Sequence, residues 1–455
     1  MNHKRGGIRH GIHQRGDITM LTFDESGWLY PNPSENIVHD IGISELNDLL
    51  QLAADEERWA AGVRETIMHR MEKPEAAKFN HHDWIFEEIM LKNTGGTIVS
   101  MPFGKDIITF NSNRHFFRGE NQEYPRSTPS LLRKLEGKTA YEIELIKAVA
   151  VMRVYQFSKF IWQINVVPYW EAKLSDINYD ALAQHYGFDT CLIDLTNDFK
   201  TALFFATCKY DYATDSYRPL TAKDIETSEK SKYGILFHSP NWVLDYLNGG
   251  GNSWLFEHMN DKCDMPYSFY SGELDGLAFQ IGYQPLMRCH HQSGYIMPMM
   301  KAVPLQEDTR FEKMRFLQSE EISNQVFELM DKGQKIFPHE GIRYALDVLR
   351  LIQHSSVFSE DDMSYAYEFG AADKIRFPTT DDFRKALSSY KVDGTCVTIQ
   401  KNEVKYHLKS SVMDSINSAY DGRNLLDIVG NMIHQRPEHR RYREQRCIEI
   451  YGKLI

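Results

Sequence analysis

Cysteine is scarce and scattered: Cys191, Cys208, Cys263, Cys289, Cys396 and Cys447 are the six in 455 residues, with no C-x-x-C pair and no regular spacing. That pattern excludes a disulfide framework and predicts reduced thiols, hence a cytoplasmic protein. Long apolar runs are missing as well, since no stretch reaches the roughly 18 consecutive apolar residues that a membrane span needs. The opening MNHKRGGIRHGIHQRG is basic but has no apolar segment behind it, so it reads as a mobile tail, and Met20 offers an alternative start. Positive charge is not in excess. A net charge of −11 works against a general coating of nucleic acid, because non-specific affinity comes from neutralising phosphates with Lys and Arg; a local basic groove stays compatible with it. The chain also lacks a P-loop, a Rossmann glycine fingerprint, H-E-x-x-H, G-x-S-x-G, internal repeats and low-complexity segments.

What is present describes a folded protein. Hydrophobic residues at 42% and charged residues at 25% sit near the globular average, and 12% aromatics is more than a disordered chain carries. The length suits two or three domains. Residues 1–40 read as the tail and a turn-rich connector, and residues 41–108 as a mainly helical region. In the latter, Leu46, Leu49, Leu50 and Ala53 recur at helical steps over Ile43 to His69, before the strand-like runs TIVSMPF and DIITF. A long helix is predicted from Thr139 to Ile164, with Leu145, Val149, Met152 and Tyr155 on one face. Residues 179–210 divide into a short helix stopped at Gly187, a strand CLIDLT, and a second helix capped by Thr196 or Asn197.

Further on, YGILFH reads as a strand, NGGGNSWLFE as a flexible loop, and residues 277–299 as strands joined by tight turns. KMRFLQ is a strand, and Ser319 opens the helix EEISNQVFELMDKG. From Leu349 the pattern becomes charged and mostly helical, with one strand pair, TCVTIQ and VKYHL. The fold class is α+β.

Four stretches resemble, in order and spacing, the FRG domain: FFRGEN with PSLLR, QHYGFDTCLIDLT with ALFFA, CHHQSGYI, and KIFPHEG, over about residues 109–348. The family is named for its Phe/Tyr-Arg-Gly motif, here Phe117, Arg118 and Gly119. That opening is similar to the first strand of ADP-ribosyltransferases, in which an Arg holds the phosphates and ribose of NAD. The resemblance therefore implies an ADP-ribosyltransferase-like mixed β core with helical N- and C-terminal extensions, the latter over residues 349–455. It also implies NAD as co-substrate and a place among bacterial toxin and phage-defence (antiviral) proteins, with a macromolecular acceptor and a neutralising antitoxin as partners. In the Arg-Ser-Glu type a Glu of a Gln-x-Glu or Glu-x-Glu pair stabilises the oxocarbenium-like transition state. Here the third block offers Gln292, and the Gln-x-Glu at a strand end is Gln318-Ser319-Glu320, which reads equally as a helix cap.

The candidate residues follow. Arg118 presents five donors in a planar fork, suited either to a pyrophosphate clamp or to a structural ion pair with Glu120, which lies on the same strand face. His185 and Tyr186, at a helix end before Gly187, offer an exposed imidazole with a stacking ring, or a capping or core histidine. Asp194, an acid in an apolar strand, must be paired or capping and is otherwise a site carboxylate. His291 and Gln292 could donate to a nicotinamide amide or a ribose hydroxyl. Catalytic candidates are thus Arg118, Glu120, His185 and Glu320; cofactor-binding candidates are Arg118, Gly119, Tyr186, Asp194, His291 and Gln292. Cys289-His290-His291 has no second cluster to complete a metal site, so no metal is expected. Arg436, Arg440, Arg441, Tyr442 and Arg443 form either a nucleic-acid contact or a solvated helical face. The function expected is NAD-consuming ADP-ribosyl transfer to a macromolecule, RNA, DNA or protein. The alternative is a non-catalytic nucleotide-binding or phage-sensing module.

Overall fold

A computed structural model describes residues 36–71, 96–101, 105–110, 115–168, 177–240, 268–281, 284–301, 303–370, 372–420 and 433–435. In chain order the elements begin with β1 (Val38–Asp40), α1 (Ile43–Met71), β2 (Gly96–Met101), β3 (Lys105–Phe110) and β4 (His115–Glu120). Next come α2 (Ser130–Leu135), α3 (Ala140–Ile161), α4 (Tyr179–His185), β5 (Leu192–Thr196), α5 (Phe199–Thr207), β6 (Cys208–Asp211) and β7 (Ser216–Pro219). After α6 (Ala222–Ile225), β8 (Tyr233–Pro240), β9 (Phe279–Gln280), α7 (Arg288–His291) and β10 (Gly294–Pro298) follow β11 (Glu312–Leu317), α8 (Glu320–Leu329) and α9 (Leu346–Gln353). The chain continues through β12 (Val357–Ser359), α10 (Glu360–Phe369), α11 (Thr380–Ser389), β13 (Lys391–Val392), β14 (Thr395–Cys396), β15 (Thr398–Gln400), α12 (Ser410–Ala419) and β16 (Ile433–Gln435).

The α+β expectation holds. A seven-stranded sheet runs in the order β1-β11-β8-β4-β5-β10-β9, parallel between β1 and β11 and antiparallel elsewhere, so it is mixed. Alternation along β4 and β5 separates three clusters of buried side chains. Phe117 faces Phe199, Ala202 and Leu203 of α5, a cluster that also takes in Ile41, Leu46 and Leu49 from the N-terminal strand and helix and Ile322 and Val326 of α8. Phe116 points the other way and joins Ile193, Leu195, Phe237, Tyr295 and Met297. The third cluster packs α3, buried on all sides from Lys147 to Val154, against α4 and the C-terminal helices.

Local chemistry sets the boundaries. Thr139 and Glu142 form a reciprocal capping box that starts α3, as the acid-first pattern requires. Gly187 ends α4 at φ +86, a left-handed conformation that L side chains adopt only with strain. Asp198, rather than Thr196 or Asn197, caps α5, accepting from the backbone of Lys200 and Thr201; its longer acceptor reaches two donors at once, while the Thr196 hydroxyl donates to the carbonyl of Gln292. Two expectations about strands are corrected. Residues 284–292 do not make a tight turn between β9 and β10 but hold the short helix α7. VKYHL is not a strand: β14 pairs with β13, β15 lies parallel to β12, and Tyr406 instead bonds Gln156 of α3. The opening tail, the loop NGGGNSWLFE and Arg436 to Arg443 lie outside the described residues.

Candidate functional site

The sheet parts at its middle. β4 pairs with β8 along its whole length, from His115 opposite Pro240 to Glu120 opposite Ile235, whereas its ladder with β5 consists of Phe117 opposite Thr196. Beyond that pair the two strands diverge, and backbone groups that would have met across the gap need other partners. Arg118 supplies one: its Nη1 donates to the carbonyl of Asp194 at 2.9 Å. A cleft of about 430 Å³ opens at this point, within the range usual for small-molecule sites.

Arg118 is held on two sides. Its Nε donates to Glu120 Oε1 at 3.0 Å, and Glu120, buried, accepts the hydroxyl of Ser127 on its other oxygen at 2.5 Å. Gln306 in turn accepts from the backbone of Ser127 and donates to its hydroxyl and to the carbonyl of Tyr124, fixing the turn after β4. Nη2 of Arg118 makes no hydrogen bond among the described residues, so a donor pair is left for a ligand of the cleft. This is both of the roles that the sequence left open for Arg118: an ion pair that orients, and a fork with donors to spare.

Gly119 serves packing. A Cβ there would stand 1.7 Å from the carbonyl oxygen of Ala202, so the absent side chain is what lets α5 lie directly on β4. The remaining lining explains the run after the motif, which is neither helical nor extended. Tyr124, Arg126 and Ser127 come from the turn, Arg133 from α2, Phe205 and Cys208 from the end of α5 and the start of β6, and Tyr210 and Tyr217 from the β6–β7 hairpin. Burial and the charge of Glu120 push the Tyr124 phenol up, opposed by Arg118 and Arg133. Burial pushes the Cys208 thiol up to about 12, so it stays protonated and is no nucleophile.

Asp194 is the half-exposed carboxylate of the cleft: its Oδ1 accepts from Gln184 at 2.7 Å, and it lies 3.7 Å from Nε2 of His185. It therefore pairs and does not cap. Gln292 lines the same cleft while its amide donates to the carbonyl of Ile336. Of the two readings left open for His185, an exposed imidazole or a capping or core histidine, the structure has the buried one. The side chain is buried behind Asp194, and that burial pushes its pKa down, a shift the neighbouring Asp194 opposes. Tyr186 is buried too, on the far side of α4, donating its hydroxyl to Glu340 with the Arg288 guanidinium 4.4 Å over its ring. The ring cannot stack on a ligand of the cleft. His291 lies against the carbonyl of Lys335, and Glu320, exposed in the first turn of α8, accepts from the backbone of Ala222. Ser319 caps that helix, which is the alternative reading of Gln318-Ser319-Glu320. Neither His291 nor Glu320 reaches the cleft.

So the structure brings together Arg118, Gly119, Glu120, Asp194 and Gln292 from the expected set, with His185 directly behind. Tyr124, Arg126, Ser127 and Tyr210 were not singled out in the sequence. For the first three, the signal was their place in the irregular run that joins FFRGEN to PSLLR; Tyr210 carries none, since only the hairpin brings it to the cleft.

Among the described residues no group of three or more His, Cys, Asp or Glu could hold a metal ion, and no helix is long and apolar enough to cross a membrane. No curated protein and no solved structure matches the chain. The family model of the FRG domain matches residues 113–215, which take in β4, the whole turn after it, Asp194 and the hairpin as far as Asp215; CHHQSGYI and KIFPHEG fall beyond that match. Residues 113–215, the stretch that matches the FRG domain, supply nearly all of the cleft lining.

Proposed function

We propose that the cleft binds NAD and that the protein transfers ADP-ribose from it to a macromolecule, in the manner of a toxin or phage-defence effector. The observation that carries this reading is Arg118: an arginine fixed by Glu120 and the Asp194 carbonyl, with Nη2 uncommitted, in a cleft that also holds Arg126, Arg133 and tyrosines. Guanidinium groups beside aromatic rings match a ligand made of phosphates and flat bases. Breaking the nicotinamide–ribose bond sends its electron pair to the departing nicotinamide and leaves positive charge on the ribose. An acceptor hydroxyl or amine then bonds to the anomeric carbon and gives up its proton. A carboxylate aimed at that charge acts on what exists only in the transition state.

Asp194 fits this task better than Glu120, both of whose oxygens are taken by Arg118 and Ser127. Glu120 orients Arg118, and Gln292 stands where it could meet the ribose or the amide. The same commitment of Glu120 also supports the second reading, a binding module that senses a nucleotide without turnover. Nicotinamide release from NAD by purified protein, with RNA, DNA or cell extract added in turn, separates the two. Release that is lost in Arg118→Ala and in Asp194→Asn is the expected result. Tight NAD binding with no release under any condition would sink the enzyme and leave the sensor.

A further inference from the structure

A second cavity, of about 360 Å³, lies beside the cleft and shares two of its walls. On α2, Arg133 lines the cleft and Lys134 lines the second cavity; on the β6–β7 hairpin, Tyr210 lines the first and Tyr212, beyond it, the second. Its other lining residues include Arg153, Asp189, Arg350 and His354. Lys134 is paired with Asp189. Arg350 donates to the carbonyl of Tyr212 and meets no carboxylate among the described residues. Arg153 is the decisive group. It comes from the middle of α3, its side chain is only 7% exposed, its Nε donates to the carbonyl of Ser355 and its Nη2 to Asp393 at 3.3 Å. Its Nη1 makes no hydrogen bond among the described residues.

Nη1 is not sealed inside the protein but open to the cavity that Arg153 lines, where an anionic acceptor can take the place of solvent. Three cations against one carboxylate in the lining set the sign of that acceptor, and Arg forks suit tetrahedral oxyanions. We propose that this cavity is a phosphate-binding site, distinct from the cleft, with Arg153 and Arg350 as its clamp and Lys134 at its rim. The phosphate belongs either to a free nucleotide or to a nucleic-acid strand that passes Tyr212, whose ring is 80% exposed. The inference does not depend on NAD chemistry in the cleft.

The test is calorimetric titration of the full-length protein with inorganic phosphate, AMP and a hexamer of deoxythymidylate, in the wild type and in Arg350→Ala, Arg153→Lys and Arg118→Ala. Arg350→Ala removes an exposed side chain, and Arg153→Lys keeps the buried charge, so a thermal melt should find both folded. At least one probe is expected to bind wild type and Arg118→Ala alike, and to lose about tenfold or more in both other variants, the size of one lost charge-assisted bond. Strongest binding of AMP would identify a nucleotide source, and strongest binding of the hexamer a strand. The proposal is overturned if no probe binds, or if binding follows Arg118 and ignores Arg153 and Arg350. Either result leaves the assignment of the cleft untouched, because Arg118 and NAD turnover are read separately.

Discussion

Arg118 keeps its orientation without a ligand, because Glu120, Ser127 and Gln306 form one chain of hydrogen bonds behind it. Arg118→Lys keeps a cation beside the buried Glu120, so it should leave the fold intact, and by losing the guanidinium fork it should weaken NAD binding by about tenfold or more, the worth of a charge-assisted hydrogen bond. Titration of NAD into the variant checks this; unchanged affinity would place the ligand elsewhere. His185 gives a second prediction, in pH. Burial lowers its pKa in the folded chain below the ordinary 6.5, so the unfolded chain binds more protons in the window just below that value. Stability is then fully present above pH 6.5 and falls as the pH drops through the unfolded value. Groups facing His185 are Asp194, Arg288, Gln292 and Glu340, and Asp194 limits the effect. His185→Gln should flatten that part of the stability–pH curve relative to wild type in urea unfolding between about pH 5 and 8, the titration range of histidine. Equal slopes would mean that His185 titrates normally.

At the scale of elements, packing geometry makes sharper demands than composition does. Gly119→Ala would drive a methyl group into the carbonyl of Ala202, and neither partner is the end of a flexible side chain. Because backbone has to move, the cost should be about 3 kcal/mol, the upper end for overpacked cores, read as a lowered urea midpoint. A shift below the noise of the measurement would show that α5 does not rest on β4 so closely. The aromatic-Arg-Gly motif was readable in sequence because its parts are contiguous, and so were α3 and α4, whose apolar steps and stop signals lie within one stretch. Asp198 as the cap of α5 was one residue away from the expected pair, since Thr196, Asn197 and Asp198 are all capping types and only geometry chooses among them. What sequence could not reveal is convergence. Tyr210 reaches the cleft on a hairpin, and Tyr186 turns away from it because Glu340, far along the chain, accepts its hydroxyl.

Across the whole molecule, the N-terminal helix is more than a preface. β1 extends the seven-stranded sheet by lying parallel to β11, with Val38 opposite Lys313 and Asp40 opposite Arg315, and Arg315 also binds the Asp40 carboxylate. Ile41, Leu46, Leu49 and Ala53 then bury themselves beside Phe117 and Phe199, in the cluster that supports the back of the Arg118 strand. A chain that starts at residue 72 would lose that cover. Each large aliphatic side chain returned to water forfeits about 1.5–3 kcal/mol, so the shortened protein should be destabilised by at least about 4 kcal/mol, a large share of what a domain of this kind has in hand. Hydrogen exchange should quicken in β11 first, since that strand loses its outer partner, and reach β4 only through weaker packing of α5. The same urea midpoint and the same β11 protection in the shortened chain would mean that β1 and α1 stand apart from the sheet in solution, and Phe117 would then be supported by α5 and β8 alone.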